Sequence, residues 1–311
     1  YPGIVNRIKI MSNLDIAEKR LPQDGRIMYS RGDIKFDIRT SVMPTIYGEK
    51  IVLRLLSRDG RHFSLDELGF DERQLGDYLN AVSRPHGLVL ISGPTGSGKS
   101  TTLYATLERL NRGDNNILTI EDPIEYTLDG INQVQLKEEI GLTFPVALRT
   151  FLRQDPDIIM IGEIRDEETA EMAIRSSLTG HLLLSTLHTN SAWGCITRLT
   201  DMGIHPYLIS ETLIACIAQR LVRLLCPHCK SSSGKAVGCP QCHYTGYLGR
   251  KAIYEVVRID DTLSAAVREN VRDVSGILSQ KGVRTLRESA MSLYESGETS
   301  FEEIAPILNT M

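Results

Sequence analysis

The chain is poor in aromatic side chains, in excess charge of either sign and in long apolar runs. One Trp and six Phe among 311 residues give little material for stacking successive bases of a single strand. Lys and Arg number 35 against 39 Asp and Glu, a net charge of −4. The basic footprint that nucleic acid or anionic lipid requires is therefore missing, and no nucleic-acid partner is expected. No run of about 18 apolar residues occurs, so a membrane-spanning helix is not expected. Repeats and low-complexity tracts are absent too. Six cysteines at this length do not mark a disulfide-rich secreted fold. The start, Tyr1-Pro2-Gly3, has neither initiator Met nor signal-peptide layout and reads as a chain cut from something longer. What is present is 41% hydrophobic residues, enough to build cores, in a length that suits about two domains at roughly 150 residues each.

Residues 1–84 read as a small α+β domain. A helix-compatible stretch lies at Asp15–Lys19, and strand-like runs follow at Arg26–Ser30, Lys35–Val42 and Lys50–Ser57, separated by turn residues. Leu65 to Ser83 is mostly helical in pattern. From Pro85 the texture changes. Short continuous apolar runs begin at Gly87, Asn116, Asp157 and His181, and helical patterns at Ser100–Asn111, Phe144–Arg153 and Glu167–Leu178 lie among them. Apolar strands alternating with helices predict a mostly parallel sheet covered on both faces. This α/β core is expected over 85–225, with a cysteine segment at 226–250 and a helical region at 251–311.

Gly93-Pro94-Thr95-Gly96-Ser97-Gly98-Lys99-Ser100 matches the P-loop pattern in full, between a buried-type strand and a helix. Its glycines let backbone N–H groups converge on phosphate oxygens at a helix N-terminus. Lys99 is expected to reach the β- and γ-phosphates and Ser100, followed by Thr101, to place its hydroxyl on Mg²⁺. Two acidic clusters end apolar strands, Glu163 after Ile158–Gly162 and Glu121-Asp122 through Glu125 after Asn116–Ile120. Strand ends line the ligand crevice of an open parallel sheet, so these acids are candidates for holding Mg²⁺ or polarising water. His188 falls past the carboxyl end of a strand, where a phosphate sensor belongs, whereas His181 stands at that strand's start. Arg149, Arg153 and Arg165 lie near the acidic strand, and Arg39 and Arg54 on strands of the first domain. Any of them could supply the cation that phosphoryl transfer uses.

Cys226-Pro-His-Cys229 and Cys239-Pro-Gln-Cys242 form two knuckles that place four thiolates for a structural Zn²⁺ with no open position. An iron–sulfur centre or two disulfides are the alternatives. Cys195 and Cys216, in surroundings that read as helical, are expected to be buried small side chains.

Taken together, the sequence resembles the secretion and pilus ATPases, the family of type II secretion and type IV pilus assembly ATPases. The residues that carry the likeness run in order: Arg20–Arg26, Arg84–Gly87, the P-loop, Thr119–Glu125, Asp157–Asp166, Thr179–Asn190, and the four cysteines with Gly246–Arg250. The resemblance implies a RecA-like core, a preceding mobile α+β domain, and assembly as a homohexamer with ATP, Mg²⁺ and Zn²⁺ as its cofactors. It makes Glu163 the acid acting on Mg²⁺ and Glu125 the activator of water, with His188 and, less directly, His181 at the phosphate site. Arg39 and Arg54 would reach the nucleotide as the first domain closes, and Arg149, Arg153, Arg165 and Arg198 match other functional arginines of the family. It also implies work at the cytoplasmic face of the bacterial inner membrane, with a platform protein recruited largely through an N-terminal domain that precedes this chain. The zinc motif suits members that assemble filaments rather than retract them, although its nine-residue gap is shorter than in many type II secretion members. A DNA-uptake or conjugative ATPase is the nearest alternative. A zinc-ribbon protein that binds nucleic acid through Lys230, Lys235, Arg250 and Lys251 is the alternative of another class.

Overall fold

The computed structural model describes residues 1–32, 34–57, 64–231 and 234–309. It divides into two compact units, Tyr1–His62 with Glu125–Thr127, and Phe63–Ile124 with Leu128–Met311.

The first unit carries a helix, α1 (Pro2–Met11), and three strands, β1 (Gln23–Arg31), β2 (Ile34–Thr45) and β3 (Gly48–Ser57). The strands form an antiparallel sheet in the order β1-β2-β3. Val5 of α1 and Ile27, Thr40 and Val42 of the sheet are buried, so one face of the meander meets the helix. Lys9 is fully buried, but its charge is matched: Nζ donates to the Glu18 carbonyl at 2.7 Å and pairs with the Glu49 carboxylate. The helix-compatible stretch Asp15–Lys19 is not a helix. Asp15 Oδ1 accepts from the Ala17 N–H and Glu18 Oε1 from the Arg20 N–H, at 2.7 and 2.6 Å, and such local side-chain bonds compete with a helical turn.

The second unit opens with α2 (Glu72–Val82). It continues through β4 (Gly87–Ser92), α3 (Lys99–Leu110), β5 (Ile117–Glu121), β6 (Asn132–Gln135), α4 (Phe144–Phe151), β7 (Ile158–Ile161), α5 (Glu167–Leu178) and β8 (Leu182–Leu187). Two helices, α6 (Gly194–Asp201) and α7 (Pro206–Thr212), then lead to the long strands β9 (Leu213–Leu225) and β10 (Tyr247–Arg258). The chain closes with α8 (Asp261–Arg268), α9 (Ser275–Gln280), α10 (Leu286–Glu295) and α11 (Phe301–Asn309). Among the described residues the sheet order is β10-β9-β4-β8-β7-β5-β6. Every pairing is parallel except β9 with β10. All residues of β4, β5, β7 and β8 are buried, as their unbroken apolar runs require of a sheet with helices on both faces.

Three further features depart from the sequence reading. Helix α2, assigned there to a domain running to residue 84, packs in the second unit. Its Gln74 donates to the Tyr254 carbonyl at 2.7 Å, and Tyr78 bonds Thr106 at 2.6 Å. Residues 251–258, expected in a helical region, belong to β10. Arg250, Lys251 and Glu255 interrupt the apolar run, so the strand signal is diluted. Cys216 lies in β9 rather than in helical surroundings, and Cys195 in α6; both are buried as expected. Short apolar runs do not by themselves separate strand from helix.

Leu90, fully buried in β4, tests the packing. Leu90→Ala is expected to cost ~2–5 kcal/mol, lowering the urea midpoint reported by the fluorescence of the buried single Trp193. An unchanged midpoint would mean that β4 is not central to this core.

Candidate functional site

Parallel strands place their carboxyl ends on one edge, and the motifs leave from that edge. Ser92 at the end of β4 pairs with Leu187 of β8, and Ile161 of β7 pairs with Ser185. The P-loop therefore starts beside the segments that carry Glu163 and His188. Gly93, Gly96 and Gly98 have φ of 152°, 80° and 89°, values that L side chains rarely adopt. A Cβ on Gly93 would also stand 2.5 Å from the Gln219 carbonyl, so this turn is closed to other residues. Lys99 Nζ donates to the carbonyls of Gly93 at 2.8 Å and Pro94 at 3.1 Å. Ser100 and Thr101 lie in the first turn of α3, whose N-cap Gly98 offers no side chain to its amides. Those N–H groups are oriented for an anion.

Glu163 is held from several sides. Thr186 and Ser185 hydroxyls bond the Gly162 and Ile161 carbonyls at 2.8 and 2.9 Å, fixing the end of β7. Arg165 Nη2 lies 2.5 Å from one Glu163 oxygen, and His188 Nε2 lies 3.5 Å from the other. The Arg165 hydrogen bond, against a smaller opposing effect of burial, holds the Glu163 carboxyl below its usual range, and the charges of His188 and Lys99 add to this. Burial weakens the charged form of Lys99; Glu163 opposes that effect and Arg220 reinforces it. Arg165 also reaches Asp122 at 3.4 Å. Glu121 is a buried acid with its bonds taken by Tyr104, Thr119 and Gln133, which makes it a brace for β5.

The other sequence candidates are placed as follows. Glu125 falls in the first compact unit and pairs with Arg39 at 3.1 Å. Arg54 stands opposite Arg39 in the sheet, and Arg26 stands opposite Arg39 on its other side. Sequence reasoning missed Arg26; the register of the hairpins is the signal that reveals a row of three arginines on one face. Arg149 is paired with Glu168 at 2.7 Å, and Arg153 donates to the Arg149 carbonyl at 2.8 Å. Arg198 is exposed and makes no side-chain bond among the described residues. Among the described residues none of these three forms a hydrogen bond or ion pair with the P-loop. His181 requires a correction. It precedes β8, at the opposite end from the P-loop edge, ~20 Å away for a six-residue strand, and bonds the Ser176 carbonyl at 3.0 Å. In one chain it cannot touch the phosphate site. Trp193 is anchored: its indole N–H donates to the Val271 carbonyl at 3.1 Å, and the neighbouring Ala192 N–H donates to buried Glu255 at 2.8 Å. The segment after His188 is thus pinned to β10 and to the link between α8 and α9.

The four cysteines form one cluster. Sγ atoms of Cys226 and Cys239, Cys229 and Cys242, and Cys239 and Cys242 are each 3.8 Å apart, and all four lie within 4.8 Å of one another. Zn–S bonds of about 2.3 Å put sulfurs about 3.8 Å apart at the corners of a tetrahedron, so the donors fit that ion. The thiols are free, which sets aside the two-disulfide alternative. Burial raises the Cys242 thiol, but the Cys239 and Gly246 N–H groups, 3.2 and 3.3 Å from its sulfur, together with the Cys239 and Cys229 thiols, outweigh it and bring the pKa down to about 6. The cluster closes the excursion between β9 and β10.

These motifs sit on one continuous stretch that a single family model covers. The model described as "Type II/IV secretion system protein" matches residues 2–306. The chain belongs to that family. It is 50% identical over 98% of its length to type II secretion system protein HxcR of Pseudomonas aeruginosa. It is 45% identical over 97% of its length to type II secretion system ATPase E of Vibrio cholerae. These matches span 66% and 64% of the relatives' own lengths, just under two thirds. Among solved structures, the crystal structure of the pilus retraction motor PilT with bound ADP superposes with a TM-score of 0.74 and 29% identity, covering 93% of this chain and 78% of that one. The RecA-like core is therefore the fold of the second unit. No helix among the described residues is long and apolar enough to cross a membrane.

Proposed function

We propose that this chain is the motor portion of a homohexameric ATPase that powers assembly of a pseudopilus or pilus for type II secretion or type IV pilus biogenesis. The observation that carries it is the convergence of the P-loop, Glu163, Arg165 and His188 on one sheet edge in a member of this family. Lys99 and the first amides of α3 bind the phosphates, and Ser100 with Glu163 holds Mg²⁺, which supplies charge neutralisation to the transferred phosphoryl group. Glu125 orients the attacking water. The Arg39 and Arg54 row binds ATP and ADP unequally, and that difference drives domain motion, because a ligand shifts a conformational equilibrium only by its differential affinity. The four-cysteine cluster carries Zn²⁺ and suits filament assembly. The hexamer works at the inner membrane through a platform protein.

Oligomerisation gives the test. ATP turnover per chain should rise with protein concentration in step with a hexamer seen by sedimentation velocity. Turnover constant down to dilutions where only monomer sediments would contradict the hexameric motor.

A further inference from the structure

Arg220 belongs to none of the motifs that the sequence singled out. β9 runs parallel to β4 and pairs Ala218 with Ser92, so Arg220 emerges at the same edge as the P-loop, on the side away from Glu163. Its guanidinium donates to the Gln219 carbonyl at 3.0 Å and to Asn190, at 3.1 Å to the carbonyl and 3.3 Å to Oδ1. All these acceptors are neutral, and Arg220 forms no ion pair among the described residues. Donors to spare remain in the guanidinium fork.

The immediate surroundings point to an anion. An atom placed where a Gly93 Cβ would be stands 2.6 Å from Ser97 Oγ and 3.2 Å from Arg220 Nη1. Both groups thus converge on the first turn of the P-loop. Ser97 is 3% exposed, and its hydroxyl is buried with no hydrogen-bond partner among the described residues. A buried orphan hydroxyl is costly unless something arrives to bond it. Lys99 is close enough that the Arg220 charge disfavours its own. Burial likewise disfavours the charged form of Arg220, with Glu255 opposing. Two half-buried cations and an unsatisfied hydroxyl leave the loop short of negative charge.

We propose that Arg220 is a phosphate-contacting residue of the P-loop site, bonding the terminal phosphates of the bound nucleotide from the β9 side. This assignment rests on the ATP-binding reading above. Arginine suits the role because its planar fork matches a phosphate with paired N–H donors. The Asn190 bonds hold the guanidinium ready and link it to the segment that carries His188.

The test compares ATP, ADP, AMP and inorganic tripolyphosphate binding to the full chain with Mg²⁺, by calorimetric titration, for the native protein, Arg220→Gln and Arg220→Lys. Arg220→Gln is expected to weaken ATP and tripolyphosphate by ~10–100-fold, the scale of lost hydrogen bonds to a charged group. The loss for AMP should be much smaller, and Arg220→Lys should recover part of the ATP affinity. Melting without ligand should stay near native in at least the Lys variant. Equal losses for ATP and AMP would show a residue that only shapes the loop, and no loss would show no contact; either overturns the assignment alone. A native chain that binds none of the four ligands would overturn the ATP reading together with it.

Discussion

Glu163→Gln is expected to lower Mg²⁺-dependent ATP turnover by roughly 10²–10³-fold, the scale for removing one preorganised charge from a reacting site, while leaving ATP binding in place. The side chain sits two residues past β7, where Ser185 and Thr186 bond the Ile161 and Gly162 carbonyls, so the substitution leaves its backbone anchor intact. What changes is charge. The carboxylate is held ionised chiefly by Arg165, 2.5 Å away, with His188 on its other oxygen. A neutral amide of the same shape leaves Arg165 with Asp122, at 3.4 Å, as its remaining ion pair among the described residues. It also removes the negative charge that the proposed site aims at Mg²⁺. Because the folded carboxyl titrates below its usual range, its charge is present through neutral pH and is lost only as pH falls below the ordinary carboxylate range. Turnover measured across neutral pH should show no acid limb from this group. Phosphate-release kinetics check the rate and calorimetric titration checks the binding. If Glu163→Gln and Glu125→Ala both turned over ATP like the native chain, the assignment of the acids would be wrong.

Cys239→Ala is expected to reduce bound zinc from about one per chain to far below one, and to loosen the segment between β9 and β10. The free energy at stake is large: structural Zn²⁺ sites contribute apparent binding energies of about 10–16 kcal/mol at neutral pH in small peptides. Here the sulfurs already stand at the spacing of a tetrahedral S₄ site. Backbone N–H groups of Cys239 and Gly246 point at the Cys242 sulfur and would neutralise part of the thiolate charge around the ion. Without the metal the cluster takes protons back as thiols, nothing ties the two cysteine pairs together, and the strands on either side lose their clamp. Limited proteolysis should then cut between Leu225 and Tyr247, the ends of β9 and β10, in the variant and in chelator-treated native protein, but not in untreated native protein. Metal analysis giving much less than one zinc per native chain would overturn the zinc site, and iron in its place would identify the alternative centre.

The sequence made the central strands and the P-loop legible because each carries a local signature. An unbroken apolar run such as Leu88–Ile91, closed at once by a Gly-rich turn, suits a strand covered on both faces. The glycines of the P-loop announce a turn with positive φ. The cysteine pairs were equally plain, since the fold need only bring two knuckles together. What escaped was set by pairing between distant segments. Arg26 joins Arg39 and Arg54 in one row only through the register of two hairpins. Arg220 reaches the P-loop because β9 inserts beside β4, a neighbour relation that spans more than a hundred residues of chain. β10 was hidden because its charged positions break the apolar pattern. His181 shows the converse error. Its motif drew it to the phosphate site, yet the strand between it and His188 carries it to the far edge.

The central claim is that this chain hydrolyses ATP at the P-loop. The most direct test is phosphate release from ATP by the purified chain, with Mg²⁺ added and with Mg²⁺ omitted, in the native protein and in Lys99→Ala. The account predicts release that requires Mg²⁺ and vanishes in Lys99→Ala, because that ammonium belongs to the P-loop itself and lies at the phosphate-binding turn. Native turnover unaffected by loss of Lys99, or its absence from hexameric native protein, would contradict it.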